Sequence, residues 1–255
     1  MSAWSLDRKE YHMSGIAELP LTHSWNEESA LLERAIRSAK CDCPLRIMEA
    51  GCGQRWDIDI ADIDYHLTGV DLDAAALRMR LELVGDLHEA VEGDLRSVEF
   101  ADSSFDVIYN SYVLEHVAGA EKVLDNFVRW LRPGGIVLLR IPDPYSVHGF
   151  MSRATPHWFH VWYFRHVLKR PNAGRPGHAP YPVQYDEVVS RPGIKAYCRD
   201  NGLTLLAEYG TGGFVEPGSG IQRQLIGAFK RLAVLLSLGR LTSRHRDLLF
   251  ILRKQ

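Results

Sequence analysis

The sequence predicts an α/β fold whose sheet is largely parallel and covered by helices on both faces. Short apolar runs alternate with amphipathic stretches between residues 45 and 141, the order that joins parallel strands through crossover helices. The last third supplies two more strands around a long helix, which would complete the same sheet. At 255 residues, the chain is sized for one core with excursions attached rather than for two equal domains.

Residues 1–43 are polar and aromatic and read as an N-terminal helical or lid region. Leu31, Leu32, Ala35 and Ile36 repeat on one face of a helix expected over 26–39. The main domain then spans 44–255. Strands are expected at 45–48, 67–70, 97–100, 107–109 and 136–141, the last after the turn Pro133-Gly134-Gly135. Helices are expected over 74–84 and 121–131, where Val123, Leu124, Phe127, Val128 and Leu131 form an apolar stripe. Residues 143–185 crowd Pro, Gly, His and aromatic side chains without an α/β unit. An ordinary connection needs only about 2–6 residues, so this stretch reads as a substrate-side insertion. A helix ending near 201, a strand at 203–208, a helix over 221–238 and a strand at 248–252 follow. The apolar stripe of the late helix, including Ile226, Phe229, Leu232 and Leu236, is expected to cover the sheet; beside Lys230 and Arg231 it could instead touch lipid.

Thirty Lys and Arg against 32 Asp and Glu leave a formal charge of −2, without the global positive field of a chain held by nucleic acid phosphates. Arg165, Lys169, Arg170 and Arg175 lie among aromatics, yet no nucleic acid module accompanies them, so nucleic acid is not the expected partner. Residues 1–10 lack the apolar core of a secretory signal, and no apolar run reaches the length of a membrane span. A cytoplasmic location with at most peripheral membrane contact is therefore expected. Cys41, Cys43, Cys52 and Cys198 lack a zinc-site spacing and read as free thiols.

The strongest local signal is Glu49-Ala50-Gly51-Cys52-Gly53, where an apolar strand enters a glycine turn. Gly51 and Gly53 lack side chains, so a nucleoside ligand can approach the backbone there. About twenty residues on, Asp71 ends the next strand, followed by Leu72, and its carboxylate can accept hydrogen bonds from two ribose hydroxyls. Asp94 and Leu95 offer an acceptor and an apolar slot for adenine, and Asn110 ends a further strand where it can approach the amino acid part of a ligand. A nicotinamide dehydrogenase would use the same glycine turn and Asp71.

These residues, with Gly69-Val70-Asp71, Glu92-Gly93-Asp94, the run from Ser104 to His116, and Leu131-Arg132-Pro133-Gly134-Gly135, resemble the motifs of the class I S-adenosylmethionine-dependent methyltransferase family, in particular its small-molecule branch. The resemblance covers residues 45–141 and, through the strand order, extends to the end. It implies a Rossmann-like three-layer sandwich, a seven-stranded mostly parallel sheet with an antiparallel last strand, and S-adenosyl-L-methionine as methyl donor. Arg55 stands where many relatives carry a third glycine, and residues 54–66 leave room only for a short or distorted first helix.

The insertion, together with Tyr112 and His116 of the 104–116 run, supplies candidates for the acceptor side. Tyr112, His116, Tyr145, Trp158 and Trp162 can wall an apolar ring or a sugar face. His148 and His157 are the first candidates for a general base toward a hydroxyl, His160 the next, and Asp143 an orienter or metal ligand. A divalent ion such as magnesium could align a sugar diol. The acidic series Asp57, Asp59, Asp62 and Asp64 lacks a metal-loop pattern and reads as a solvated loop. The expected reaction is methyl transfer to a small-molecule hydroxyl, of a saccharide or glycolipid. Transfer to nitrogen or carboxylate, and an inactive cofactor-sensing interaction protein, are the alternatives. The sequence carries no signal for oligomeric state.

Overall fold

The computed structural model describes residues 19–39, 43–56, 58–175, 178–184, 186–212 and 220–255, with positions 221–223 and 225 by backbone alone. Seven strands form one sheet: β1 (Leu45–Ala50), β2 (Tyr65–Asp71), β3 (Glu89–Glu92), β4 (Phe105–Ser111), β5 (Leu131–Pro142), β6 (Leu203–Thr211) and β7 (Asp247–Lys254). Their spatial order is β3-β2-β1-β4-β5-β7-β6. β1 to β5 pair in parallel, and β7 runs antiparallel to both β5 and β6.

Side chains alternate across a strand, and here both faces are buried, which explains the near-continuous apolar runs. Ile108, Val137, Leu139, Leu248 and Phe250 pack on one side with Val123, Leu124, Phe127 and Trp130 of α3 (Ala120–Trp130) and Ile194 and Tyr197 of α6 (Arg191–Asp200). Val107, Tyr109, Ile136, Leu138 and Leu249 face the other side, against Leu32, Ala35 and Ile36 of α1 (Trp25–Ser38) and Leu77 of α2 (Ala74–Met79). Ser24 caps α1 by accepting the Glu27 N–H at 3.2 Å, while Glu27 accepts the His23 N–H, one residue before the cap, at 2.6 Å, a variant of the capping box, in which the acid would bond the cap residue itself.

Four expectations are corrected. The strand expected at 97–100 is absent; that edge is Glu89–Glu92, too short and too polar to read as a strand from its sequence. No described residue between Gly51 and Asp64 is helical, and Ile58 and Ile60 of this coil fill the layer a helix would occupy. The helix expected over 74–84 is α-helical only to Met79 and continues as a π-helical turn, Arg80–Val84, closed by Gly85 at φ +71°. The late helix, α7 (Gly220–Leu236), does not bury its stripe on the sheet: Phe229, Leu232, Leu235 and Leu236 are exposed.

The 143–185 stretch contains two short helices, α4 (Val147–Ala154) and α5 (His157–His166), of which α5 has no buried residue. Asp59, Asp62 and Asp64 of the acidic series lie in exposed positions, with Asp62 paired to Arg37 at 2.6 Å; Asp57 lies outside the described residues. Cys52 and Cys198 are buried free thiols, Cys43 is exposed, and Cys41 lies outside the described residues.

Candidate functional site

Ala50, Val70 and Asn110 lie side by side in register, so β1, β2 and β4 release their chains at one edge. Strand order reverses between β1 and β4, and the crevice beyond the carboxyl ends at such a reversal is where open α/β sheets take ligands. Gly51 leaves β1 at φ +73°, and a Cβ built there would lie 2.2 Å from Val113 Cγ2, so only glycine fits. Gly53 donates its N–H to Asp71 Oδ2 at 2.9 Å, while Asp71 Oδ1 accepts the Asp73 N–H at 2.9 Å. Leu72 stands exposed beside this carboxylate.

Glu49 reaches its position through a residue the sequence reading passed over. Arg80, fully buried in the π-helical turn, lies 2.6 Å from Glu49 Oε2, donates to the Cys52 carbonyl at 2.7 Å and bonds Asp86 at 3.0 Å. It fixes the acid of the turn and the turn's backbone together. Its signal was weak: one arginine among alternating Arg and Leu reads as a solvated helix face.

Between α1 and the ends of β1, β4 and β5 lies a cleft of about 590 Å³, lined by Glu28, Glu49, Gly51, Gly53, Tyr112 and Arg140 among others. Tyr112 follows β4 at φ +57°, a left-handed conformation unusual for a bulky side chain. Its hydroxyl donates to Asp247 Oδ2 at 2.9 Å and accepts from Arg140 at 3.3 Å. Arg140 also lies 2.7 Å from Glu28 Oε1, with its guanidinium over the rings of Tyr112 and Trp25. Burial raises the Glu28 carboxyl, opposed by Arg140. Arg140 Nε is buried without a hydrogen-bond partner. Arg140 was legible as the charged residue in the apolar run of β5; Glu28 was not, because glutamate on a polar helix is ordinarily solvated.

Asn110 is fully buried; its Nδ2 donates to the Ala50 carbonyl at 2.9 Å, and its Oδ1 has no partner. The side chain thus clips β4 to the end of β1. Asp94 is held by Arg96, whose Nε lies 3.0 and 3.1 Å from its two oxygens, and this hydrogen bonding lowers its pKa. Leu95 is buried in the core beside Ala50 and Val70.

Beyond β4, Glu115 is buried and its Oε2 unpartnered; burial raises its pKa to about 8. The strap 178–184 closes over this point. Gln184 donates its N–H to the Glu115 carbonyl at 2.6 Å, His116 Nδ1 lies 2.7 Å from the Pro182 carbonyl, and the Tyr181 ring meets the His116 ring edge-on at 5.7 Å. Burial lowers the His116 pKa, and burial followed by the charges of Asp71 and Asp73 raises that of Tyr181. The strap therefore lies within electrostatic reach of Asp71.

The insertion candidates separate. Asp143 is buried, with Oδ2 2.7 Å from His245 Nε2 and Oδ1 accepting the Tyr145 N–H at 2.9 Å; it orients His245 rather than a histidine of the insertion. His148, on α4, faces Arg246, Asp247, Lys230 and His160; desolvation and then Arg246 lower its pKa. His148 is exposed and does not line the cleft; its link to Tyr112 runs through the charge of Asp247, which accepts from the Tyr112 hydroxyl. His160 Nε2 is engaged by the Thr155 hydroxyl at 2.6 Å, and His157 is exposed at the start of α5. Tyr145 is half-buried under Arg153. Trp158 and Trp162 are exposed. Among the described residues no group of three His, Cys, Asp or Glu side chains could hold a metal ion, so the ion suggested for Asp143 and the histidines has no donor set there.

Residues 48–139 match the family model described as "Methyltransferase domain". A protein from Mycolicibacterium smegmatis described as "Probable S-adenosylmethionine-dependent methyltransferase" is 35% identical over 38% of this chain and 38% of its own length. "Phosphoethanolamine N-methyltransferase 1" of Arabidopsis thaliana is 32% identical over 37% of this chain and 20% of its own. The chain thus spans well under half the length of these curated relatives. Solved S-adenosylmethionine-dependent methyltransferases from Mesorhizobium loti (TM-score 0.51, 18% identity, 87% of this chain and 96% of that one) and Archaeoglobus fulgidus (0.52, 16%, 91% and 95%) share the fold. The chain resembles class I methyltransferases in sequence across 48–139 and carries their Rossmann-like fold.

Proposed function

Starting from the methyltransferase domain of residues 48–139, we propose that the chain transfers a methyl group from S-adenosylmethionine to a hydroxyl of a small molecule, a saccharide or glycolipid. The observation that supports the donor side of this reading is the junction of Gly53 and Asp71 at the carboxyl edge of the sheet. There a carboxylate and a glycine turn meet on the same ligand position.

The residues fit the donor. Asp71 accepts the ribose hydroxyls, Asp94 accepts from the adenine amine with Leu72 and Leu95 alongside, and Gly51 leaves backbone open to close approach. At the amino acid end, the unpartnered Arg140 Nε suits a carboxylate, and Glu28 and Glu49 suit an ammonium group. S-adenosylmethionine supplies a methyl carbon already activated on sulfonium sulfur, so alignment and exclusion of water provide much of the acceleration.

A hydroxyl acceptor would have to give up its proton as it takes the methyl group. His148 receives that proton at an imidazole nitrogen; its lowered pKa keeps the ring neutral at pH 7. Of the aromatic candidates, Tyr112 lines the cleft and His116 follows it after β4, so these two would stand beside the acceptor; Tyr145 lies under Arg153, and the exposed Trp158 and Trp162 do not wall it. Support for a hydroxyl comes from a 27% identical relative described as "Ubiquinone biosynthesis O-methyltransferase". A second reading, transfer to an amine, is favoured by the phosphoethanolamine N-methyltransferases among the relatives.

Incubating the purified chain and an isotope-labelled donor with a metabolite extract, then fragmenting the labelled product, decides between them. Label on oxygen supports the first reading and label on nitrogen the second. Donor binding without transfer to any metabolite would leave a cofactor-sensing protein.

A further inference from the structure

Net charge conceals a strong segregation along the chain. No Asp or Glu occurs between Asp143 and Asp186, a stretch that holds Arg153, Arg165, Lys169, Arg170 and Arg175. None occurs between Glu216 and Asp247, where six more Lys and Arg lie. The chain as a whole is formally at −2, yet these two segments carry eleven of its 30 Lys and Arg and none of its 32 Asp and Glu.

The fold brings the two segments together. α4 packs against α7, and His148 of α4 faces Lys230 of α7 and His160 of α5. The same helices turn apolar side chains to solvent. Trp158 of α5 is 68% exposed, Leu235 and Leu236 at the end of α7 are 71% and 74% exposed, and Leu238 just after it is 85% exposed. Single exposed apolar residues need no explanation, but several of them on acid-free, basic segments mark an interaction surface.

We propose that α5 and α7 form a docking surface for an anionic lipid bilayer. Tryptophan at the headgroup level, leucines reaching the acyl boundary and basic side chains beside them are the components of an interfacial helix. Leucines offer neither a stacking face nor a hydrogen bond to nucleobases, so nucleic acid suits this surface less well. A second copy docked by two-fold symmetry would set one acid-free patch against another. α4 and α5 follow β5 in the chain. The inference does not depend on methyl transfer or on the acceptor.

Sedimentation of the full chain with phosphatidylcholine vesicles, with and without phosphatidylglycerol, tests it. The expected result is binding to the phosphatidylglycerol vesicles alone, weakened as salt rises from about 0.1 to about 0.5 M because shorter screening lengths cut the attraction. Leu235→Ser/Leu236→Ser and Lys169→Glu/Arg170→Glu alter exposed side chains, and each should weaken partitioning by roughly tenfold or more with an unchanged melting temperature. The proposal is overturned if the wild type stays in the supernatant with either vesicle. It is equally overturned if both variants bind as the wild type does, or if a single-stranded oligonucleotide is bound while vesicles are not.

Discussion

Gly53 and Asp71 are joined by a hydrogen bond of 2.9 Å from the backbone N–H of the one to Oδ2 of the other. They leave adjacent strands, β1 and β2, and meet only because Ala50 and Val70 are in register. The glycine turn and the acid after β2 are therefore one construction rather than two independent motifs.

Asp71→Ala should weaken S-adenosylhomocysteine binding about 10–100-fold, since hydrogen bonds to a carboxylate contribute roughly 1.5–3 kcal/mol. Isothermal calorimetry on folded protein checks this. Wild-type affinity in the variant would remove Asp71 from the ribose.

Arg80→Met should destabilise the chain by about 3–5 kcal/mol, because it leaves Glu49 and Asp86 as buried or half-buried charges without their cation. Adding Glu49→Gln should recover part of the loss. Urea unfolding of both variants measures it, and a single variant as stable as wild type would contradict the role given to the ion pair.

Glu115 makes stability depend on pH. Its carboxyl ionises at an ordinary 4.5 in the unfolded chain and at about 8 in the folded one. Between these values the folded state holds one proton more, so its contribution is fully present below about 4.5 and is lost as pH rises toward about 8. Glu115→Gln should flatten that decline, on the order of a few kcal/mol across the window. Parallel unfolding curves at pH 5 and pH 8.5 with an unchanged difference would refute the buried neutral acid.

Much of this framework was legible beforehand, for identifiable reasons. Strands β1, β4 and β5 are buried on both faces and so read as apolar runs, and α3 carries an apolar stripe at helical spacing. β3 was missed because Glu89 and Glu92 are exposed at the sheet edge, where no burial constrains composition. Gly51, Gly53 and Asp71 stood out because backbone conformation and charge at strand ends restrict residue choice. Arg80, Glu28 and Asp247 did not, because their partners lie far away in sequence and only the folded chain reveals that they are buried. The reading of α7 as a cover for the sheet failed because an amphipathic pattern records a face that needs a partner without naming it.

His148→Ala should lower kcat by about 10²–10⁴-fold while leaving donor affinity unchanged, the range for removal of a general base. Since the His148 pKa is lowered from 6.5, wild-type kcat should rise with pH below that value and level off above it. Steady-state kinetics on the labelled acceptor would show this. A variant that keeps both turnover and the acidic limb would exclude His148 as the base.

The most direct measurement is a calorimetric titration of the purified full chain with S-adenosylhomocysteine, repeated on Asp71→Ala. A single site of micromolar or tighter affinity in the wild type, lost or greatly weakened in the variant, is the predicted result. No binding at millimolar ligand by folded wild-type protein would contradict a donor site at Gly51, Gly53 and Asp71.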